Sequence, residues 1–371
     1  MQRYRIHIFY FIHDLAPFGA QRVVLNTVKY LDRKTFKVTV CSFWGDETLA
    51  PEFINCGAEV VLLRAKRFLD FSAWLRLTIR LFRSRPDIIQ TNLPELGFPV
   101  RLLSLFLLEL RVVHNVQNPI SSEPLYWRFL NRATLGLCDA VIFCSRGISN
   151  DAALKSKSLT EKSFVVQNGI SIEPVPAASV LALREELGIS KDEKVIGCVG
   201  RLAEQKGQDI LIEALAELVK GKRHLRLLLA GDGETLAELK GLAMRLGVKR
   251  EVLFLGQRAD ISRILCACDI YAAPSRWEGL SLALGEAMLS GKPCVATNIP
   301  GHADILQDGV TGVAVPPQDA AALARGIARM LERPLEAREM ASAAAEMVKT
   351  EFTTVAMAKK YEKLYLSLAQ R

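Results

Sequence analysis

Short apolar runs recur along the whole chain and alternate with longer stretches of helical periodicity. In the first half they fall at residues 6–12, 37–43, 60–63, 88–91, 112–116, 140–145 and 163–167. A second set follows at 195–200, 225–230, 252–255, 270–273, 294–297 and 312–315. Most of these runs lack the in–out alternation of a half-exposed strand, so they predict strands covered on both faces, as in parallel sheets with crossover helices. Between the two sets, residues 171–179 carry Pro174 and Pro176 and few apolar side chains, which marks a linker. The predicted class is therefore α/β, with two Rossmann-like doubly wound domains facing a cleft. Their expected spans are 1–172 and 173–350, and a tail, 351–371, holds one more helical run at 355–368.

Composition adds limits. At 371 residues and 50% hydrophobic, the chain is long enough for two cores. Its apolar stretch at 102–108 is closed by Glu109 and Arg111, too short for a membrane span. The run at 6–12 is interrupted by His7 and has no small-residue cleavage site after it, so it reads as a first strand rather than a signal peptide. Eight cysteines without a CxxC pair suggest reduced, buried thiols and a cytoplasmic protein.

The net charge of +8 is distributed unevenly. Residues 1–172 hold 22 Lys and Arg against 14 Asp and Glu, whereas 173–371 hold 26 against 26. Within the basic half, 64–85 contains seven basic residues and one acid, Asp70. Helical spacing puts Arg76, Arg80 and Arg83 on one face and Phe71, Trp74, Leu75, Ile79 and Phe82 on another. Two readings follow: a crossover helix with its apolar face on the sheet and its arginines in solvent, or an arginine face that meets an anionic membrane or an acceptor phosphate. No nucleic-acid recognition module accompanies the charge, so nucleic acid is not an expected partner.

Candidate chemistry concentrates in the second half. Glu278 and Glu286 flank a turn into a predicted helix at 280–289, whose free amides near Leu280, Ser281 and Leu282 suit a phosphate, while Glu286 suits ribose hydroxyls. Upstream, the strand 195–200 delivers Arg201 and Lys206 into the loop before another helix, where open α/β sheets bind ligands. Two cations beside a helix N-terminus can neutralise a diphosphate. There is no Asp-x-Asp pair and no metal-ligand spacing, so neither a metal nor a cofactor is expected; the nucleoside-diphosphate sugar is a substrate.

These motifs, in this order, resemble the family-four retaining glycosyltransferases of GT-B fold over nearly the whole chain. The resemblance is carried by Phe18-Gly19-Ala20-Gln21-Arg22, His114, Val166-Gln167-Asn168-Gly169-Ile170, Gly200-Arg201 with Lys206-Gly207, Gly231-Asp232-Gly233, the pair Glu278 and Glu286, and Asp308-Gly309-Val310-Thr311-Gly312. It implies a retaining, metal-independent transfer from a nucleoside-diphosphate sugar, UDP-sugar favoured and GDP-sugar second, to a glycan or lipid-linked acceptor in surface polysaccharide synthesis. It also implies that Gly19 approaches the donor phosphate, that His114 faces the transferred sugar, that Glu278 orients the sugar or steadies developing positive charge, and that the tail helix crosses back to the first domain. The chain departs from the family pattern at Phe18, Asn92, Ser171 and Asp304. Two other functions suit the same residues: a nucleotide-sugar epimerase of this fold, or a non-catalytic nucleotide-sugar-binding partner.

Overall fold

The computed structural model describes residues 5–107, 109–150, 157–221 and 224–370; Leu108, at the end of the apolar stretch 102–108, lies outside them. The chain divides into two compact units, Met1–Gly169 with Thr354–Arg371, and Ile170–Thr353.

The first unit carries a seven-stranded sheet. Its strands are β1 (Ile6–Ile12), β2 (Phe36–Ser42), β3 (Glu59–Leu62), β4 (Ile88–Thr91), β5 (Arg111–Val116), β6 (Ala140–Phe143) and β7 (Ser163–Val165). They lie in the order β3-β2-β1-β4-β5-β6-β7, every pair parallel. The helix Thr354–Ala369 belongs to this unit and packs beside the helix Gly19–Tyr30. Its buried Met357, Ala358, Tyr361, Leu364, Tyr365 and Leu368 recur at threes and fours, the stripe that lets a helix seal one face of a sheet. Polar contacts lock its register: Tyr365 Oη donates to Gln90 Oε1 at 2.6 Å, and Asn115 Nδ2 donates to Tyr361 Oη at 2.8 Å.

The second unit carries a six-stranded sheet. Its strands are β8 (Lys194–Val199), β9 (Leu225–Ala230), β10 (Val252–Gly256), β11 (Ile270–Ala273), β12 (Cys294–Thr297) and β13 (Val313–Val315). The order is β10-β9-β8-β11-β12-β13, again all parallel. Successive side chains serve opposite layers: Ile196, Cys198, Leu227 and Leu229 join the core under the helices Gln208–Lys220 and Ala320–Glu332, while Val195, Leu228 and Ala230 meet Leu183 and Ile264 on the other face. This two-sided burial is why the strands read as unbroken apolar runs. Because β9 lies on one side of β8 and β11 on the other, the direction of winding reverses beside β8, and the loops leaving the C-terminal ends of these strands open a crevice there.

The helix Phe71–Ser84 corrects one expectation. Of the predicted apolar face only Trp74 turns inward, donating from Nε1 to Phe68 O at 2.8 Å; Phe71, Leu75, Ile79 and Phe82 are exposed. The buried stripe is Ala73, Leu77 and Leu81. Rotation is set by the arginines: Arg80 pairs with Glu59 of β3, and Arg76 donates to Leu63 O at 2.6 Å. Among the described residues, all eight cysteines are free thiols, six of them buried. Among the same residues no helix is long and apolar enough to cross a membrane.

Candidate functional site

The loops after β8, β11 and β12 build one polar cluster in the second unit. Gly207 joins the first two. Its φ of +65° is a conformation favouring glycine, and a Cβ there would stand 2.3 Å from Pro274 O, so only glycine lets the chain turn into the helix Gln208–Lys220 this close to the β11 loop. The residue before it, Lys206, thereby reaches Glu278, with Nζ 2.5 Å from Oε1. Glu278 is 6% exposed and also accepts from Ser275 Oγ at 2.9 Å and, more weakly, from Gln205 Nε2 at 3.4 Å.

Behind this carboxylate, Thr297 Oγ1 donates to Ser275 O at 2.6 Å, and His302 Nδ1 lies 2.9 Å from Thr297 O. A carbonyl only accepts, so the proton of His302 sits on Nδ1 and Nε2 keeps its lone pair, buried and without a partner among the described residues. Burial lowers the His302 pKa, with Glu278 opposing and Lys206 adding to the shift. A second clamp ties the loops together: Arg276 forks onto Asp209 at 2.9 and 2.6 Å and donates to Glu204 O at 2.8 Å.

Arg201 emerges where β8 ends, beyond Gly200. Its side chain is exposed and its guanidinium has no partner among the described residues, while its carbonyl accepts from Gln208 Nε2 at 3.0 Å. The helix predicted at 280–289 begins later, at Leu282, with Ser281 as its N-cap; Leu280 lies before it. The Ser281 side chain makes no cap bond, so the first-turn amides of Leu282, Ala283 and Leu284 have no helical acceptor and present partial positive charge. Glu286 is half-buried one turn further along. Among the described residues, no group of three or more His, Cys, Asp and Glu has the makings of a metal site.

In the first unit, Gly19 opens the helix Gly19–Tyr30 after the loop 13–18 that follows β1; Phe18, its N-cap, is half-exposed and makes no side-chain cap bond. His114 sits inside β5, only 3% exposed, with Nδ1 2.8 Å from Thr91 Oγ1. Burial and the neighbouring Arg101 push its pKa well below the usual imidazole value, so the ring is neutral at neutral pH. Arg101 itself is fully buried, donating to Thr134 Oγ1 at 3.0 Å and Asn131 Oδ1 at 2.5 Å. Nearby, burial raises Glu123 to about 7. Of the three arginines singled out from the sequence, Arg76 and Arg80 are held by the protein; Arg83 is exposed and has no partner among the described residues.

Sequence reasoning named Arg201, Lys206, Glu278 and the amides near Leu280, Ser281 and Leu282; the structure brings Lys206 and Glu278 together and starts the helix at Leu282. Sequence reasoning missed Ser275, Gln205, Arg276 and Arg101, for which only the neighbourhood of Ser275 and Arg276 to Glu278 offered any signal.

A cationic crevice at the reversal point of a parallel sheet, beside a helix N-terminus, defines a nucleotide-binding α/β protein. Comparison with known proteins agrees with this class. The family model for glycosyl transferases group 1 matches residues 180–347, and that for glycosyltransferase family 4 matches 18–174. The chain thus carries a glycosyltransferase family 4 domain followed by a group 1 glycosyl transferase domain, and it is a glycosyltransferase of GT-B fold. Among its relatives is the Escherichia coli UDP-Gal:alpha-D-GlcNAc-diphosphoundecaprenol alpha-1,3-galactosyltransferase, 26% identical over 85% of each chain. Another is the putative glycosyltransferase EpsD of Bacillus subtilis, 31% identical over 53% of this chain and 54% of that one. The chain thus spans about half the length of EpsD and of several other curated relatives it matches. Among solved structures, Anabaena HepE in complex with UDP-glucose superposes with a TM-score of 0.85 at 26% identity, covering 97% of this chain and 99% of that one.

Proposed function

We propose that the protein transfers a sugar, with retention and without a metal, from a nucleoside-diphosphate sugar to a glycan or lipid-linked acceptor at the cytoplasmic membrane face. UDP-sugar is the favoured donor, since the E. coli relative is named for UDP-Gal and HepE was solved with UDP-glucose. The observation that carries the reading is that Arg201, whose guanidinium has no partner among the described residues, and Lys206 follow β8 at the switch point, and that Lys206 reaches Glu278 in the loop that leads into the helix Leu282–Leu289. These are positive groups fixed in advance where a diphosphate gains charge as the glycosidic bond breaks, the arrangement that lowers such a barrier most.

Glu278, held by Lys206 and Ser275, then orients sugar hydroxyls or steadies positive charge at the anomeric carbon, and Glu286 takes ribose hydroxyls. His114, a neutral ring, is assigned to hydrogen bonding with the transferred sugar, and the Gly19 amide to a donor phosphate. The leaving phosphate oxygen accepts the acceptor's proton as the acceptor attacks from the same face.

The test is a panel of UDP- and GDP-sugars with membrane extract as acceptor source, read as released nucleoside diphosphate and as anomeric configuration of the product. Acceptor-dependent release with retained configuration is expected, unaffected by EDTA. Release that is inverted or abolished by EDTA overturns the mechanism, and interconversion of the sugar without release makes the protein an epimerase.

A further inference from the structure

Arg101 is fully buried, yet among the described residues no carboxylate forms an ion pair with it. It sits on the helix Pro94–Leu103, which follows β4. Its Nε donates to Thr134 Oγ1 and its Nη2 to Asn131 Oδ1, both neutral acceptors on the helix Leu125–Thr134. The compensating carboxyl stands one residue further off, where Asn131 Nδ2 donates to Glu123 Oε2 at 2.8 Å. The remaining nitrogen, Nη1, is buried with no hydrogen-bond partner among the described residues. Arginine is rarely buried unless paired, so a position that served packing alone would be filled more favourably by an apolar side chain.

What Nη1 faces is His114. A Cβ on Gly97, one helical turn before Arg101, would stand 2.8 Å from Arg101 Nη1 and 2.7 Å from His114 Nδ1, so the two nitrogens flank the same small gap that the glycine leaves open. Within the sheet His114 lies between Thr91 of β4 and Val141 of β6, and Arg101 is the charged side chain that acts on the ring. These contacts decide which ring nitrogen carries the proton. A proton on Nδ1 would aim an N–H dipole toward a guanidinium that can only donate, whereas a lone pair there is attracted by it. Thr91 Oγ1, 2.8 Å from Nδ1, is then the donor of that contact. The proton is left on Nε2, which has no partner among the described residues.

We propose that Arg101 is a positioning residue of the transfer reaction: its buried guanidinium holds the lone pair on Nδ1 of His114 and the proton on Nε2, so that the ring meets the sugar as a neutral hydrogen-bond donor. Arg101 acts through the ring and touches no substrate. The proposal rests on the assignment of His114 to the transferred sugar; the ring spectra that test it need no donor, so the two fail separately.

The full chain is isotopically labelled at the histidine ring nitrogens, and the His114 signals are identified by their loss in His114→Gln. In wild type at neutral pH, Nδ1 is expected to resonate as an unprotonated ring nitrogen and Nε2 as a protonated one, a readout that needs no variant. Arg101→Met, which keeps a long side chain and drops the charge, should mix the two tautomers and raise the pH at which the ring titrates, while Arg101→Lys should restore part of the wild-type pattern. Donor turnover should fall about tenfold in Arg101→Met with KM little changed, and the same substitution should cost nothing further in a His114→Gln background. A wild-type Nδ1 that carries the proton, an Arg101→Met protein whose ring spectrum and titration match wild type, or a full additional loss in the His114→Gln background each overturns the proposal. Wild-type turnover in His114→Gln refutes the sugar contact itself, whatever the spectra show.

Discussion

Replacing Lys206 with Met isolates the ion pair on which the site is organised. The substitution keeps the aliphatic stem but removes the ammonium 2.5 Å from Glu278 Oε1. Glu278 is then left with Ser275 Oγ at 2.9 Å and a long contact to Gln205 Nε2, inside a loop that shields its side chain to 7% exposure. Removing one partner of a buried pair costs about 3–5 kcal/mol. Lys206 is 23% exposed, so water recovers part of that and about 2–3 kcal/mol is the expected loss. In a unit running Ile170–Thr353 this corresponds to a fall in melting temperature of about 4–12 °C.

The discriminating control is the double variant Lys206→Met with Glu278→Gln, which removes the stranded charge and should recover most of the stability while remaining inactive. Donor turnover should fall about 10²-fold or more in the single variant, as for loss of one oxyanion donor. Urea unfolding followed by tryptophan fluorescence, with and without UDP, measures both effects. In wild type, UDP at 100 times its dissociation constant should add about 2.7 kcal/mol, and Lys206→Met should lose much of this increment. A Lys206→Met protein as stable as wild type, or a double variant no more stable than the single one, refutes the coupling; an undiminished UDP increment refutes the phosphate role.

Two further outcomes follow from particular contacts. Gly207→Ala forces a side chain into φ +65° with its Cβ 2.3 Å from Pro274 O, so the β8 and β11 loops must part; a loss of about 1–3 kcal/mol and near-complete loss of donor turnover are expected, and an active, fully stable Gly207→Ala protein contradicts the packing. His114 has a folded pKa well below its unfolded value near 6.5, so the unfolded chain binds the extra proton. Its contribution to stability is complete above pH 6.5 and is lost as pH falls from there toward the folded pKa, at up to about 1.4 kcal/mol per pH unit. Urea unfolding between neutral and mildly acidic pH should therefore show a shallower decline for His114→Gln than for wild type, and equal slopes count against a buried neutral ring.

Much of this protein is local in origin. Runs such as 195–199 and 227–230 are apolar at consecutive positions because each face of a parallel strand meets a helix layer, so the two sheets and the loops carrying Arg201, Lys206 and Glu278 were legible one segment at a time. The start of the helix expected at 280–289 was displaced from Leu280 to Leu282, since the apolar run continues through the turn and periodicity does not register where helical hydrogen bonding begins.

Tertiary structure decided whatever depends on which distant groups meet. Lys206 finds Glu278 across 72 positions, and Arg276 finds Asp209 across 67; neither pairing has a signature in sequence, because each is set by how closely two strand-end loops approach. Arg101 looks like any surface arginine until Thr134 and Asn131 close over it. In the helix Phe71–Ser84, spacing pointed to Phe71, Trp74, Leu75, Ile79 and Phe82 as the apolar face, whereas the buried stripe is Ala73, Leu77 and Leu81. Ala73, Leu77 and Leu81 took the inner side because the links from Arg80 to Glu59 and from Arg76 to Leu63 fix the rotation, which leaves Phe71, Leu75, Ile79 and Phe82 outside. A sequence lists the faces a helix has; only the neighbours it packs against choose among them.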